Sequence, residues 1–437
     1  MPKPKDKQVP SIAPLLAVNF VGTLGFSIVT PFLVVLVTQW GGNAVVYGIL
    51  AATYSFFQLF GAPVLGKMSD RIGRRRVLLL SQAGTLLSWV IFLFAFAAPG
   101  TVLLGLQNRW LGDFALTLPL LILFLARATD GLTGGNVSVA NAYLADISSE
   151  TNRSANFGQM AVSGNLGFVV GPALAGLLGA TVFGELLPVL AAFLISALAL
   201  LLIRFGLEEV TPATITKSLE QPTACDLYGQ EHCPAYDVEC QRPNGFRAVL
   251  ARPSMPALMA INFLVMLGFS FFYVAFPVHA VEGLDWNVTD IGIYFAVISL
   301  AMIVVQGPVL ARAAKRWSER SLMGAGGLAL ALGFAAMLSH SMVTVYAAAA
   351  LIAIGNGLMW PTFMAVLSKS AGAALQGAVQ GYAQSGGAIA SIAGLLAGGV
   401  LYVSLGANVF PVAGTVIAAS AVLALTFRPA DTTRETG

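Results

Sequence analysis

The stretch "GKMSDRIGRRR", Gly66 to Arg76, sets five cationic residues and one acid in eleven positions. The chain around it is 57% hydrophobic and 10% charged, with a mean hydropathy of +0.81 over 437 residues. A soluble domain carries about 25% charged residues. So little charge cannot cover a water-facing surface, so the solvent of this chain is mostly lipid and its class is polytopic membrane protein. The basic stretch is then a loop held at one membrane face. The formal charge of +3 gives no ground for a nucleic-acid partner.

Outward from that loop, the chain divides into runs of about 20 apolar residues, the length a helix needs to cross the hydrocarbon core. Twelve spans are expected, at about 11–37, 44–66, 76–98, 118–144, 155–180, 185–206, 255–280, 289–312, 320–340, 342–368, 375–402 and 406–427. Alternating strand patterns are not found, which argues for an all-α fold and against a β-barrel. The first run is too long for a signal peptide and reads as a retained helix. Twelve spans put both termini on one side. With that side as the cytoplasm, 21 of the 23 Lys and Arg residues fall inside, leaving Arg109 outside and Arg127 within a span. That bias sets the orientation, both termini cytoplasmic, with the basic stretch joining the second and third spans inside.

The most polar segment, about 207–253, separates residues 1–206 from 254–437 as a linker between two six-helix halves. The halves echo one another. "PVLGKMSDRIGRR" from Pro63 matches "PVLARAAKRWSER" from Pro308, "DGL" at Asp130 matches "NGL" at Asn356, and "GPALAG" at Gly171 matches "GLLAGG" at Gly394. Parallel repeats of this kind mark transporters, with substrate bound near midplane between the halves.

Three motifs make the chain resemble the major facilitator superfamily over nearly its whole length, with most similarity to twelve-helix drug:proton antiporters such as tetracycline-efflux proteins. The opening stretch carries the loop signature of that family in full, at Gly66, Asp70, Arg71, Gly73, Arg74 and Arg75. Gly66 permits close helix approach and Gly73 a tight turn. The resemblance implies that this cluster latches the two halves in the outward-facing state. The copy near Pro308 has Lys315 for the acid and Ser318 for the glycine, so only the first latch is competent. "RATDGLTGGNVSVANAYLAD" resembles the fourth-helix motif, with Arg127 as its arginine. "GNLGFVVGPALAG" resembles the antiporter signature of the fifth helix at Gly167, Gly171, Pro172 and Gly176, with Ala175 in place of one glycine. Small residues there allow close packing in lipid, and Pro172 removes a backbone hydrogen bond. One departure stands out. Many relatives carry an aspartate where this chain has Gly22.

Asp130 lies mid-span, the one carboxylate at that depth, three residues from Arg127 on one helical face. A charge at mid-membrane costs at least about 2.5–3.5 kcal/mol, so the pair is read as proton-coupling, with a static brace as the alternative. Burial disfavours the aspartate anion and Arg127 favours it. Polar or aromatic residues in apolar spans, Asn19, Gln58, Asn136, Asn356, Trp360 and Gln384, are candidates for a mostly apolar substrate cavity. His279 and His340 read as snorkelling residues near the outer helix ends. Cys225, Cys233 and Cys240, beside His232, lack a zinc spacing and read as reduced thiols of a cytoplasmic linker. No enzyme motif, cofactor or metal site is expected.

The sequence therefore points to a multi-pass inner-membrane protein that exports small hydrophobic compounds against protons by rocker-switch alternating access, with lipid, substrate and protons as partners and a monomer as the working assembly. An uncoupled facilitator or symporter of a small metabolite remains an alternative, as does a non-transporting receptor or scaffold.

Overall fold

The computed structural model describes residues 11–108, 111–134, 136–148, 153–209, 246–252, 254–339 and 341–426. The first half contains α1 (Ala13–Ser27), α2 (Val29–Gln39), α3 (Ala44–Ile72), α4 (Arg74–Ala97), α5 (Leu118–Thr133), α6 (Asn136–Ile147), α7 (Arg153–Gly179) and α8 (Leu186–Gly206). A short α9 (Phe246–Leu250) precedes α10 (Met255–Leu284), α11 (Val288–Val304), α12 (Leu310–Ala313), α13 (Glu319–Ala336), α14 (Met342–Leu405) and α15 (Val409–Thr426). The architecture is all-α and polytopic, since in lipid a helix satisfies its own backbone.

Local sequence sets the helix ends. Asn43 caps α3 by accepting from the Val45 and Val46 amides. Gly73, at φ 105°, ends that helix and turns the chain into α4, as expected of the glycine in the basic stretch. A capping box of Asn287 and Asp290 starts α11. That helix runs into a π-helical turn over Val305–Val309, which contains Pro308, a residue with no amide hydrogen to donate.

Among the described residues, nine helical runs are long and apolar enough to cross a membrane. The expected spans map onto them with three differences. The span at 118–144 is split at Gly134 into α5 and α6. The span at 320–340 is the 18-residue α13, which begins on Glu319 and Arg320. The last two spans form one run, Gly381–Thr426, divided at Gly406. Helical backbone also continues through the join expected at about 370. A straight 64-residue helix would be about 96 Å long, three times the hydrocarbon core. The chain reverses instead. The Met342 arm runs antiparallel to α13, with Lys369 paired to Glu319 at one end. The second arm runs parallel to α10, with Asn262 Nδ2 donating to Ala383 O at 2.7 Å and Tyr402 facing His279 at 3.3 Å.

Strands do occur, contrary to the sequence expectation. Val102–Asn108 and Gly112–Thr117 form an antiparallel hairpin between α4 and α5. It lies beyond the helix ends, and every residue of its first strand is exposed. This end of the bundle is called the hairpin face, and the end carrying Arg71–Arg76 the basic face.

The sequence echoes occupy equivalent places. A Cβ on Gly171 would strike Ser27 and Ile28 in the first helical span of its half, and one on Gly394 would strike Ser270 and Leu267 in the first span of the other. Gly131 lies against Tyr54 and Phe57 in the second span, and Gly357 against Val305 in the eighth. Small residues at matched positions thus let matched helix pairs approach, which explains why these fragments are shared.

The halves close on each other at the hairpin face. Gly48 meets Leu395, and Gly399 meets Ala44. A Cβ on Gly292 would lie 2.7 Å from both Gly176 Cα and Pro172 O, and the Thr289 hydroxyl donates to Gly176 O at 2.9 Å. The fifth-helix motif therefore has two jobs: Gly167 and Gly171 seat α1, and Pro172 and Gly176 seat α11 of the other half.

Candidate functional site

Below that closure, a cavity of about 430 Å³ lies between the halves. Tyr47, Tyr54 and Arg127 line it from one side, Phe269, Tyr273 and Trp360 from the other. Of the expected cavity residues, Trp360 and Asn356 face this space. Asn19 and Gln58 do not. They line a second cavity of about 250 Å³ inside the first half, where Asn19 Nδ2 donates to Met160 O at 2.9 Å and Gln58 Nε2 to Tyr54 Oη at 3.0 Å. Gln384 is exposed and lines neither. Polarity in a span shows that a residue needs a partner, but not which of two cavities supplies it.

Arg127 and Asp130 stand at the boundary. Both are buried, 8% exposed each, with Nη1 and Oδ2 3.6 Å apart. The spacing along the helix is thus realised as an ion pair. Arg127 lines the cavity between the halves and Asp130 the cavity inside the first half. The guanidinium lies over the Tyr54 ring, 4.7 Å from its centroid, a cation–π contact that offsets part of its desolvation. Arg127 Nε is buried without a hydrogen-bond partner. Thr85 shares the lining of that second cavity with Asp130. Such a group is costly in lipid unless it serves binding or coupling.

Tyr54 and Thr85 were missed by sequence reasoning. Tyr54 lines both cavities and touches both members of the charged site's surroundings, Arg127 and Gln58. A signal existed, since Tyr54 and Gln58 are four residues apart and share a helix face. Thr85, one hydroxyl in an apolar span, carried none.

The described contacts of the basic cluster lie within the first half and the start of the linker. Arg74 is buried, donating from Nε to Asp146 Oδ2 at 2.8 Å and from Nη1 to Ser69 Oγ at 2.7 Å. Arg75 donates from Nε to Ile203 O at 3.3 Å and from Nη2 to Arg204 O, while its amide donates to Glu209 at 3.1 Å. Arg71 is exposed. These contacts reach α6, α8 and the start of the linker, so none of them joins the two halves. The expectation for Gly66 is corrected: a Cβ there would meet nothing within 4 Å, so no close helix approach depends on it in this state. His279 is also corrected. It is 3% exposed, packed on Phe410 and facing Tyr402, and does not snorkel. The reason is that this turn of α10 packs against Tyr402 of α14 and Phe410 of α15. The side chains of Asp70 and Asn136 lie outside the described residues, as do His232, His340, Cys225, Cys233 and Cys240. Among the described residues, no group of His, Cys, Asp and Glu side chains could hold a metal ion.

Comparison with known proteins agrees with this architecture. A family model described as "Major Facilitator Superfamily" matches residues 15–307 and 258–437. Tetracycline resistance protein, class C, of Escherichia coli is 29% identical over 350 residues, covering 80% of this chain and 78% of that protein. Tetracycline resistance protein, class D, of Salmonella ordonez is 28% identical over 384 residues, covering 87% and 86%. Among solved structures, the human organic anion transporter MFSD10 (TETRAN) superposes with a TM-score of 0.61 at 22% identity, covering 97% of this chain and all of that one. The peptide transporter POT superposes with a TM-score of 0.69 at 14% identity, covering 95% and 93%. Two halves closed over a central cavity, the complete loop motif and a family match across most of the sequence converge on one conclusion: this chain is a non-enzymatic membrane transporter and belongs to the major facilitator superfamily.

Proposed function

We propose that the protein is a proton-coupled exporter of small, largely apolar compounds that works by alternating access in the cell membrane. The observation that carries this reading is the buried Arg127–Asp130 pair beside the cavity between the halves. A carboxylate that gains and loses a proton there changes its hold on Arg127, and Arg127 faces the substrate cavity. The aromatic and aliphatic lining suits a lipophilic body. Export is supported by the relatives, which are tetracycline resistance proteins. With both termini placed in the cytoplasm by the positive-inside bias, closure at the hairpin face makes this the inward-facing state. The basic cluster, proposed to latch the halves in the outward-facing state, is accordingly turned onto its own half.

A second reading concerns the ligand. Arg127 is the one charged side chain among the residues lining the substrate cavity, which favours a lipophilic anion over a cation. The neighbour MFSD10 is described as an organic anion transporter. Proteoliposomes carrying the purified protein test both readings. An imposed pH gradient drives accumulation of tetracycline or 2-naphthoate, and dissipating the gradient abolishes it. Accumulation that ignores the proton gradient makes the protein a facilitator. Preference for 2-naphthoate over 2-naphthamide assigns the anion.

A further inference from the structure

We infer that Arg312, Lys315 and Arg316 form a binding site for the phosphate of an anionic phospholipid, whose acyl chains lie along the exposed face of α11. The site is in the second half, at the end of the bundle away from the hairpin face, and is independent of the substrate cavity and of Asp130.

The backbone puts apolar track and cations in one line. Ile293, Val297, Leu300 and Val304 recur at helical spacing on one face of α11, and all four are exposed. The π-helical turn over Val305–Val309 follows. Its i to i+5 bonding takes up one residue more per turn than an α-helix does. Val309, also exposed, therefore stays on the stripe, and Arg312 and Arg316 follow it at helical spacing. Without the extra residue the cations would be turned about 100° from the apolar track. The Ala314, Lys315, Arg316 and Trp317 amides donate to carbonyls three or four residues back, which carries the helical path beyond α12. Arg312, Lys315 and Arg316 are thus neighbours on one face, and all three are exposed.

Among the described residues, none of the three pairs with a carboxylate; Arg312 Nη1 donates to Pro308 O at 3.1 Å. Glu319, the one acid of the segment, is paired with Lys369 of α14 and does not oppose an anion. The matching segment of the first half is built differently. Asp70 stands there in the place of Lys315, and Arg74 and Arg75 are engaged by Asp146, Ser69 and the carbonyls of Ile203 and Arg204. With Lys315 for the acid, a mixed cluster becomes uniformly positive. Two guanidinium groups offer the paired donors that phosphate oxygens accept, and the ammonium adds a point charge. Trp317, exposed beside the triad, is a residue type that sits at headgroup level. A free phosphate would use the cations alone. The apolar stripe that ends on them, and the indole at their side, favour a lipid.

The test titrates the purified full chain in detergent with dibrominated phosphatidylglycerol or dibrominated phosphatidylcholine. Bromine quenches nearby indoles, and the share due to Trp317 is the difference from Trp317→Phe. Phosphatidylglycerol is expected to half-saturate that share at a several-fold lower mole fraction than phosphatidylcholine. A cation near an anionic lipid contributes about fivefold. The triple change Arg312→Gln, Lys315→Gln and Arg316→Gln therefore removes the preference. Lys315→Asp, which restores the first-half pattern, weakens it by more than about fivefold and decides alone should the triple variant not fold. Arg204→Gln, which removes an exposed cation of the first half, leaves the preference unchanged. No preference in the parent, a preference that survives the triple change or Lys315→Asp, or an equal loss in Arg204→Gln overturns the site. Inorganic phosphate at matched ionic strength does not displace the lipid. Displacement by it assigns the triad to a free anion and overturns the lipid.

Discussion

The contact between α7 and α11 makes the sharpest conformational prediction. Gly292 has no room for a side chain. A Cβ there would sit 2.7 Å from Gly176 Cα, 2.7 Å from Pro172 O and 2.9 Å from Gly176 N, all backbone atoms that cannot rotate away. Ordinary carbon contacts are about 3.5–4.0 Å, so Gly292→Ala must part the two helices by the better part of an ångström. The Thr289 hydroxyl bond to Gly176 O, now 2.9 Å, is stretched at the same time. Overpacking of this kind costs about 1–3 kcal/mol. The cost falls on the state in which the hairpin face is closed, because only there are the halves in contact at this point. The alternative state gains relative population by about 5- to 150-fold. The helix-propensity gain of alanine over glycine, about 0.8–1.0 kcal/mol, applies to both states and cancels. Spin labels at Val182 and Val343, exposed residues of opposite halves on the hairpin face, read the outcome as a distance distribution. A shift to longer distances is expected. Gly100→Ala, whose Cβ meets nothing and which lies outside the motifs of the two halves, serves as the control and leaves the distribution unchanged. An unaltered distribution in folded Gly292→Ala protein would refute the argument that this glycine pair sets the closure.

Three further outcomes are expected. Asp130→Asn retains substrate binding and downhill exchange but loses accumulation against a gradient, measured in proteoliposomes with and without a pH gradient; the amide keeps the size and hydrogen-bonding capacity of the neutral acid, so a variant that still pumps removes Asp130 from coupling. Arg74→Ala lowers unfolding free energy in detergent by about 2–3 kcal/mol, because it strands Asp146, whose side chain is 17% exposed, whereas Arg76→Ala, 72% exposed and 4.0 Å from Glu209, changes little. Replacing Cys225, Cys233 and Cys240 by serine leaves transport within about threefold of the parent, as reduced thiols without a metal spacing require, and stoichiometric tightly bound zinc would contradict it.

Several features of the site were legible in the sequence. The spacing of Arg127 and Asp130 implied one helical face, and the pair is in contact. Gly73 implied a turn, and it adopts the positive φ that a turn needs. Other residues carried no such information. Gly66 and Gly292 are both glycines within helical spans, yet only Gly292 is in a close crossing, because closeness depends on the partner helix and on the conformational state. Asn19, Gln58, Asn356 and Gln384 looked equivalent as lone polar residues in apolar runs. They divide among the cavity inside the first half, the central cavity and an exposed surface according to the rotation of each helix in the bundle.

By itself the sequence determined the class of the molecule. Low charge and apolar runs of membrane length leave a helical bundle in lipid as the solution, because every backbone polar group in a span must be satisfied within it. It also pointed to two halves that echo one another and to a mid-span position for Arg127 and Asp130, since depth is counted along a helix from the nearest polar end. Tertiary structure alone decided which face is closed and on which side of a wall each charge opens. Arg127 and Asp130 are three residues apart and one turn of helix cannot tell them apart, yet they line different cavities. That difference arises from neighbours distant in the chain, Tyr54 and Thr85 on one side of the pair and the second half of the protein on the other, and packing between segments is what places them there.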